Sequence, residues 1–169
     1  MSNPANAAPT LLFPKPHSRK SASNLFAAKS ARKSLKKVSE EQNKLFERAA
    51  EAREKAVAPF SGFQVGAALL TETGEIFTGC NIENASYGLT MCAERVAIFK
   101  AVSEGARSFE KICVVADTED LTPPCGACRQ IIWEFCGNIE IVLTNLHGKI
   151  ETMQMSELFP RAFDAKFLE

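Results

Sequence analysis

The chain has 169 residues, 46% of them hydrophobic and 24% charged, a mix that suits one globular domain whose core needs no disulfide framework. No apolar run approaches the roughly 18 residues that a bilayer-spanning helix needs, which excludes a transmembrane reading and a membrane partner. The net charge of zero is unevenly spread. Residues 1–38 carry Lys15, Arg19, Lys20, Lys29, Arg32, Lys33, Lys36 and Lys37 with no acid, and all 20 acidic residues follow from Glu40 onward. The net-acidic body argues against a nucleic-acid partner, because phosphate binding needs clustered positive charge.

In chain order, residues 1–38 read as a disordered basic extension. Pro4, Pro9, Pro14 and Pro16 break any early helix, and Ser, Ala and Lys dominate afterwards. That composition suits an organellar transit peptide but more simply a solvated tail, so the expected location is cytoplasmic with organellar targeting left open. Order is expected from Ser39, where Ser39 and Gln42 fit a capping box. Leu45, Phe46, Ala49, Ala52 and Ala56 then recur at helical spacing, and Pro59 predicts an end near 56–58. Phe63–Leu70 reads as a strand and Glu75–Thr78 as its hairpin partner across Gly74. A helix over Met91–Val102, a strand over Lys111–Ala116, a helix over Cys125–Phe135 and a strand over Ile139–Thr144 follow. A further strand at Lys149–Thr152 and a short helix at Met155–Phe159 complete the domain, residues 39–169. A hairpin followed by alternating strands and helices predicts an α/β fold: a three-layer α-β-α sandwich with a mixed central sheet of about five strands.

Two motifs carry chemistry: Cys92-Ala93-Glu94-Arg95 and Pro124-Cys125-Gly126-Ala127-Cys128-Arg129-Gln130. Both fall at predicted helix N-termini, where unpaired N–H groups and a partial positive charge favour thiolates. Only the thiolate binds zinc well, and three protein ligands leave the fourth position open for water, the catalytic arrangement. Glu94, two residues past Cys92, is close enough to that position to accept a proton from water made acidic by the metal. Three thiolates leave the metal site formally negative, so Arg95 is expected to hydrogen-bond ligand sulfurs and restore electrophilicity. The remaining cysteines, Cys80, Cys113 and Cys136, read as small buried residues, and His17 and His147 are given no metal role.

The pairing of C-A-E with P-C-x-x-C resembles the three-cysteine form of the zinc deaminase signature. With Pro59–Leu69, Gly79–Tyr87 and Leu158–Phe163 in the same order, residues 39 to about 163 resemble the small homotetrameric cytidine deaminases. The resemblance implies one zinc per subunit held by Cys92, Cys125 and Cys128, with Glu94 as proton shuttle. It implies hydrolytic deamination of cytidine and 2′-deoxycytidine to uridine and 2′-deoxyuridine plus ammonia, a pyrimidine salvage reaction. Phe63 matches the aromatic packed on the pyrimidine, Asn81 and Glu83 the pair on the ribose hydroxyls, and backbone near Ala93 the reader of the base edge. Phe163 matches an aromatic given to a neighbouring subunit's site, which makes the homotetramer part of the expectation. The sequence departs at Phe60, where the family often has Tyr, and at Pro123, where it usually has a small polar residue.

Each feature also has a plainer reading. Cys125 and Cys128 suit a redox pair or half of a structural zinc site. Phe63 on a strand suits a core residue, Asn81 and Glu83 suit a turn after Gly79, and Phe163 suits a C-terminal anchor. Competing functions are a deaminase of a nucleoside antibiotic or RNA, a non-catalytic zinc protein, and an adaptor that works through its basic tail.

Overall fold

Helix α1 (Glu40–Arg53) opens the part of the chain that the computed structural model describes, residues 40–168. The expected extension 1–38, the Ser39 cap and His17 lie outside the described residues. Glu40 and Glu41 in the first turn and Arg53 in the last complement the helix dipole, while Leu45, Phe46, Ala49 and Ala52 are buried. The helix stops a turn before the expected end. Lys55 N and Ala56 N bond only three residues back, to Ala52 O and Arg53 O, and Val57 leaves to pair with Ile82.

Strands β1 (Val65–Thr71), β2 (Ile76–Cys80), β3 (Phe109–Ala116), β4 (Glu140–Asn145) and β5 (Ile150–Gln154) form one sheet in the order β2-β1-β3-β4-β5. β3 and β4 run parallel and the other three pairings are antiparallel, so the sheet is mixed. Helices α2 (Ala93–Ser103), α3 (Gly126–Cys136) and the short α4 (Met155–Leu158) share one face, where Ala67, Leu69, Ile98, Val114, Ile132, Leu143 and Met155 pack. The opposite face holds Leu45, Phe46 and Ala49 of α1 against Ala68, Leu70, Cys113, Val115 and Val142. The alternation along β1 sends successive residues to opposite layers, as the pleat requires. The result is the three-layer α/β sandwich.

Two glycines set how closely the layers meet. A Cβ at Gly66 would lie 2.0 Å from Ala49 O on α1, and one at Gly79 would lie 2.3 Å from Ala93 O at the start of α2. Only a residue without a side chain lets these helices approach so near. Gly79 therefore fixes the height of the helix whose first turn bears Cys92 and Glu94. The rings of Phe99 and Phe135 meet edge to face at 6.0 Å and tie α2 to α3.

β1 begins two residues later than expected, at Val65, so Phe63 lies in the loop before the strand and is 41% exposed. The Asn81 side chain accounts for this. Its Oδ1 accepts from Val65 N at 2.8 Å and its Nδ2 donates to Phe63 O at 2.8 Å, where a neighbouring strand's backbone would otherwise bond. Of the cysteines expected to be buried, Cys113 is; Cys80 and Cys136 are only partly so.

Candidate active site

Cys92 and Cys125 occupy the N-cap positions of α2 and α3, both with extended backbone, and neither side chain caps its own helix. The two sulfurs instead approach each other at 3.8 Å. Cys128, one turn into α3, is fully buried, and all three sulfurs lie within 4.8 Å of one another. Tetrahedral zinc–sulfur bonds of about 2.3 Å would place sulfurs about 3.8 Å apart, so the cluster fits the ion. Its electrostatics point the same way. A hydrogen bond from the Cys128 thiol, resisted by burial and aided by Arg95 and Cys125, draws the Cys92 thiol down to about 5. The same bond, with burial, pushes the Cys128 thiol upward.

Glu94, in the first turn of α2, is 4% exposed. Burial, with help from the nearby Cys92 thiolate, pushes its carboxyl up to about 7, against a bond from its own backbone, one from Cys128 and the Arg95 charge. A carboxyl poised near neutrality both accepts and releases protons readily. Arg95 Nη2 donates to Thr90 O at 2.9 Å and to Cys92 Sγ at 3.6 Å. The guanidinium thus reaches one sulfur of the three. Its Nε is buried without a hydrogen-bond partner.

The segment bearing Asn81 and Glu83 is stitched to this cluster by backbone bonds. Ile82 N donates to Met91 O at 2.8 Å and Met91 N to Ile82 O at 2.9 Å, one residue from Cys92. Glu83 is partly buried, and its Oε2 accepts from Phe60 N at 2.9 Å and Ser61 N at 3.2 Å. Its Oε1 accepts from the Ser61 hydroxyl, and that bond, ahead of the two backbone donors, holds the carboxyl below its usual range. Ala93, the first residue of α2, is buried. Phe60 packs near Tyr87 with ring centroids 6.2 Å apart, and Pro123 is exposed in the loop before α3. Phe163 lies beyond α4, 55% exposed and stacked on Phe167 at 5.7 Å, with its carbonyl held by Gln130 Nε2 at 2.9 Å. His147 pairs with Asp117 at 3.1 Å, outside the cluster.

Residues 39–144 match the model of the cytidine and deoxycytidylate deaminase zinc-binding region. The chain belongs to that family. It is 56% identical over 126 residues to a cytidine deaminase of Sporosarcina psychrophila, covering 74% of this chain and 93% of the relative. It is 55% identical over 123 residues to a cytidine deaminase of Halalkalibacterium halodurans, covering 72% and 93%. Among solved structures, a cytidine deaminase of Burkholderia pseudomallei superposes with a TM-score of 0.70 at 50% identity, covering 72% of this chain and 98% of that one. Zinc is the family's metal, and the Cys92–Cys125–Cys128 cluster fits it.

Within this family frame, two side chains that the sequence offered without a role prove to brace the site. Arg129 Nε donates to Pro124 O at 2.8 Å, one residue before Cys125, and its Nη1 donates to Leu158 O at 2.8 Å at the end of α4. The planar fork of the guanidinium suits such a two-carbonyl clamp. Ser61 is the second, bonded to Glu83 and to Phe63 N. Their signal in the sequence was proximity to the motifs; each also has one distant partner, Glu83 at 22 residues from Ser61 and Leu158 at 29 from Arg129, which emerges only on folding.

Proposed function

We propose that this chain hydrolytically deaminates cytidine and 2′-deoxycytidine to uridine and 2′-deoxyuridine, releasing ammonia, with one zinc per subunit. The observation that carries the proposal is a buried carboxyl, Glu94, beside three convergent sulfurs at two helix starts. Cys92, Cys125 and Cys128 hold the metal, which when bound supplies the Lewis acidity that makes water a nucleophile near neutral pH. Glu94 takes a proton from the attacking water and gives one to N3 of the cytosine ring. It then moves the second proton to the amino group as oxygen replaces it at C4, so that ammonia leaves and the ring becomes a uracil. Arg95 withdraws charge from the Cys92 sulfur.

The nucleoside is placed by Phe63 against the pyrimidine, Asn81 and Glu83 at the sugar hydroxyls, and the backbone at Ala93 against the base edge. Asn81 and Glu83 sit on the segment bonded to Met91, which supports a sugar subsite beside the cluster. Phe163 completes a neighbouring site in a homotetramer, a reading supported by its exposure on the last segment of the chain. No described helix is long and apolar enough to cross a membrane. We place the enzyme in the cytoplasm, with the basic, acid-free residues 1–38 leaving organellar targeting open.

The test is loss of cytidine absorbance with purified protein, with and without chelator, against 2′-deoxycytidine, a cytidine nucleotide, a nucleoside antibiotic and single-stranded RNA. Turnover of the two nucleosides, lost on chelation, is expected. Absence of turnover on both nucleosides overturns the proposal. Sedimentation of wild type and Phe163→Ala tests the tetramer: the proposal needs a tetramer in the wild type and a loss of activity in the variant.

A further inference from the structure

The loop from Phe60 to Gln64 is suspended from the two residues proposed to hold the sugar. Asn81 carries its end, through Phe63 O and Val65 N, and Glu83 carries its start, through Phe60 N and Ser61 N. Gly62, at φ 70°, turns the chain between them in a conformation that side chains resist. In the middle stands one hydroxyl. Ser61 Oγ donates to Glu83 Oε1 and accepts from Phe63 N at 3.0 Å. It is the described side chain bonded to both the carboxylate assigned to the sugar and the backbone of the aromatic assigned to the base.

We infer that Ser61 is a positioning residue for nucleoside binding, orienting the Glu83 carboxylate toward the sugar and Phe63 toward the base through its single hydroxyl. The inference rests on the nucleoside reading given above. A carboxylate on an exposed segment has free rotation to lose when it meets a ligand. A donor that fixes one oxygen removes that freedom beforehand, and only the lone pairs left over are offered to a sugar hydroxyl. The hydroxyl cannot donate to Glu83 and accept from Phe63 N unless the loop is in one conformation. Carboxylate and ring are therefore set together. The main-chain donors Phe60 N and Ser61 N hold the other oxygen and remain in alanine and threonine variants at position 61. Removing the hydroxyl should therefore loosen the pair without dismantling the loop.

The experiment compares wild type, Ser61→Ala, Ser61→Thr and Glu83→Gln on cytidine and on 2′,3′-dideoxycytidine, whose sugar offers Glu83 no hydroxyl on the ring. Loss of one hydrogen bond to a charged group should raise KM for cytidine roughly tenfold in Ser61→Ala and change kcat much less. Ser61→Thr, which keeps the hydroxyl, should restore most of it. On dideoxycytidine the Ser61→Ala penalty should shrink to about the Phe63 share, roughly twofold. A general loosening of the fold predicts the same penalty on both substrates and no rescue by threonine, and that result overturns the inference. Glu83→Gln separates the two levels. If it penalises cytidine far more than dideoxycytidine while Ser61→Ala penalises both alike, the sugar role of Glu83 stands and the Ser61 inference falls. If Glu83→Gln penalises both substrates alike, the sugar subsite itself falls, and the inference with it.

Discussion

The two halves of the site are built in opposite ways. The cysteine half stands on the first turns of two packed helices, with Glu94 and Cys128 buried, and each ligand lies within three residues of another functional group in its own motif. The half proposed to hold the nucleoside consists of Phe63, Asn81, Glu83 and Phe163, on loops or strand ends, with Asn81 alone of these buried. Fixed backbone dipoles and a water-poor setting suit chemistry that must hold a metal and tune a proton. Loops suit recognition, because a few side-chain bonds set the shape of the loop without disturbing the core. The comparison teaches that substitutions in the first half should strike kcat and metal retention, and those in the second should strike KM.

The largest effect should come from Glu94→Gln. It keeps the shape of the side chain but not its proton chemistry, so kcat should fall on the order of a thousandfold while zinc content by atomic absorption stays near one per subunit. Substantial residual turnover would remove Glu94 from its role and blur the division. Next comes Phe63→Ala, where loss of stacking on the base should raise KM for cytidine roughly tenfold with a small change in kcat. A fall confined to kcat would place Phe63 in the chemical half.

Arg95→Gln sharpens the boundary from the other side. It removes the donor to Cys92 Sγ, and zinc transfer to a colorimetric chelator should become about tenfold faster, with KM little changed. An unchanged transfer rate, together with unchanged kcat, would leave Arg95 merely a tie to Thr90. The smallest effect concerns the thiols. Burial pushes Cys113 and Cys136 up to about 12. A raised thiol pKa keeps the group protonated until the pH nears that value, so at pH 8 almost none is thiolate. Native protein stripped of metal and treated with iodoacetamide at pH 8 should carry label at Cys92 and Cys125 by mass spectrometry. Cys113 and Cys136 should stay clean until the pH is raised strongly or the protein is unfolded.

The sequence alone determined whatever depends on neighbours along the chain. Alternating apolar residues and helix signals gave the element order, and C-A-E with P-C-x-x-C announced a thiolate site at helix starts because cap position and ligand spacing are local properties. The tertiary structure decided what depends on distant partners. The Asn81 side chain displaced the first rung of β1 and left Phe63 in a loop, against the strand that its apolar pattern predicts. Helix α1 ended early because Val57 found Ile82, and Gly79 became a seat for α2 only when Ala93 closed on it. Ser61 and Arg129 gained their roles from carbonyls and carboxylates 22 or more residues away. Such contacts are fixed by the packing of layers, and no periodicity or local spacing encodes them.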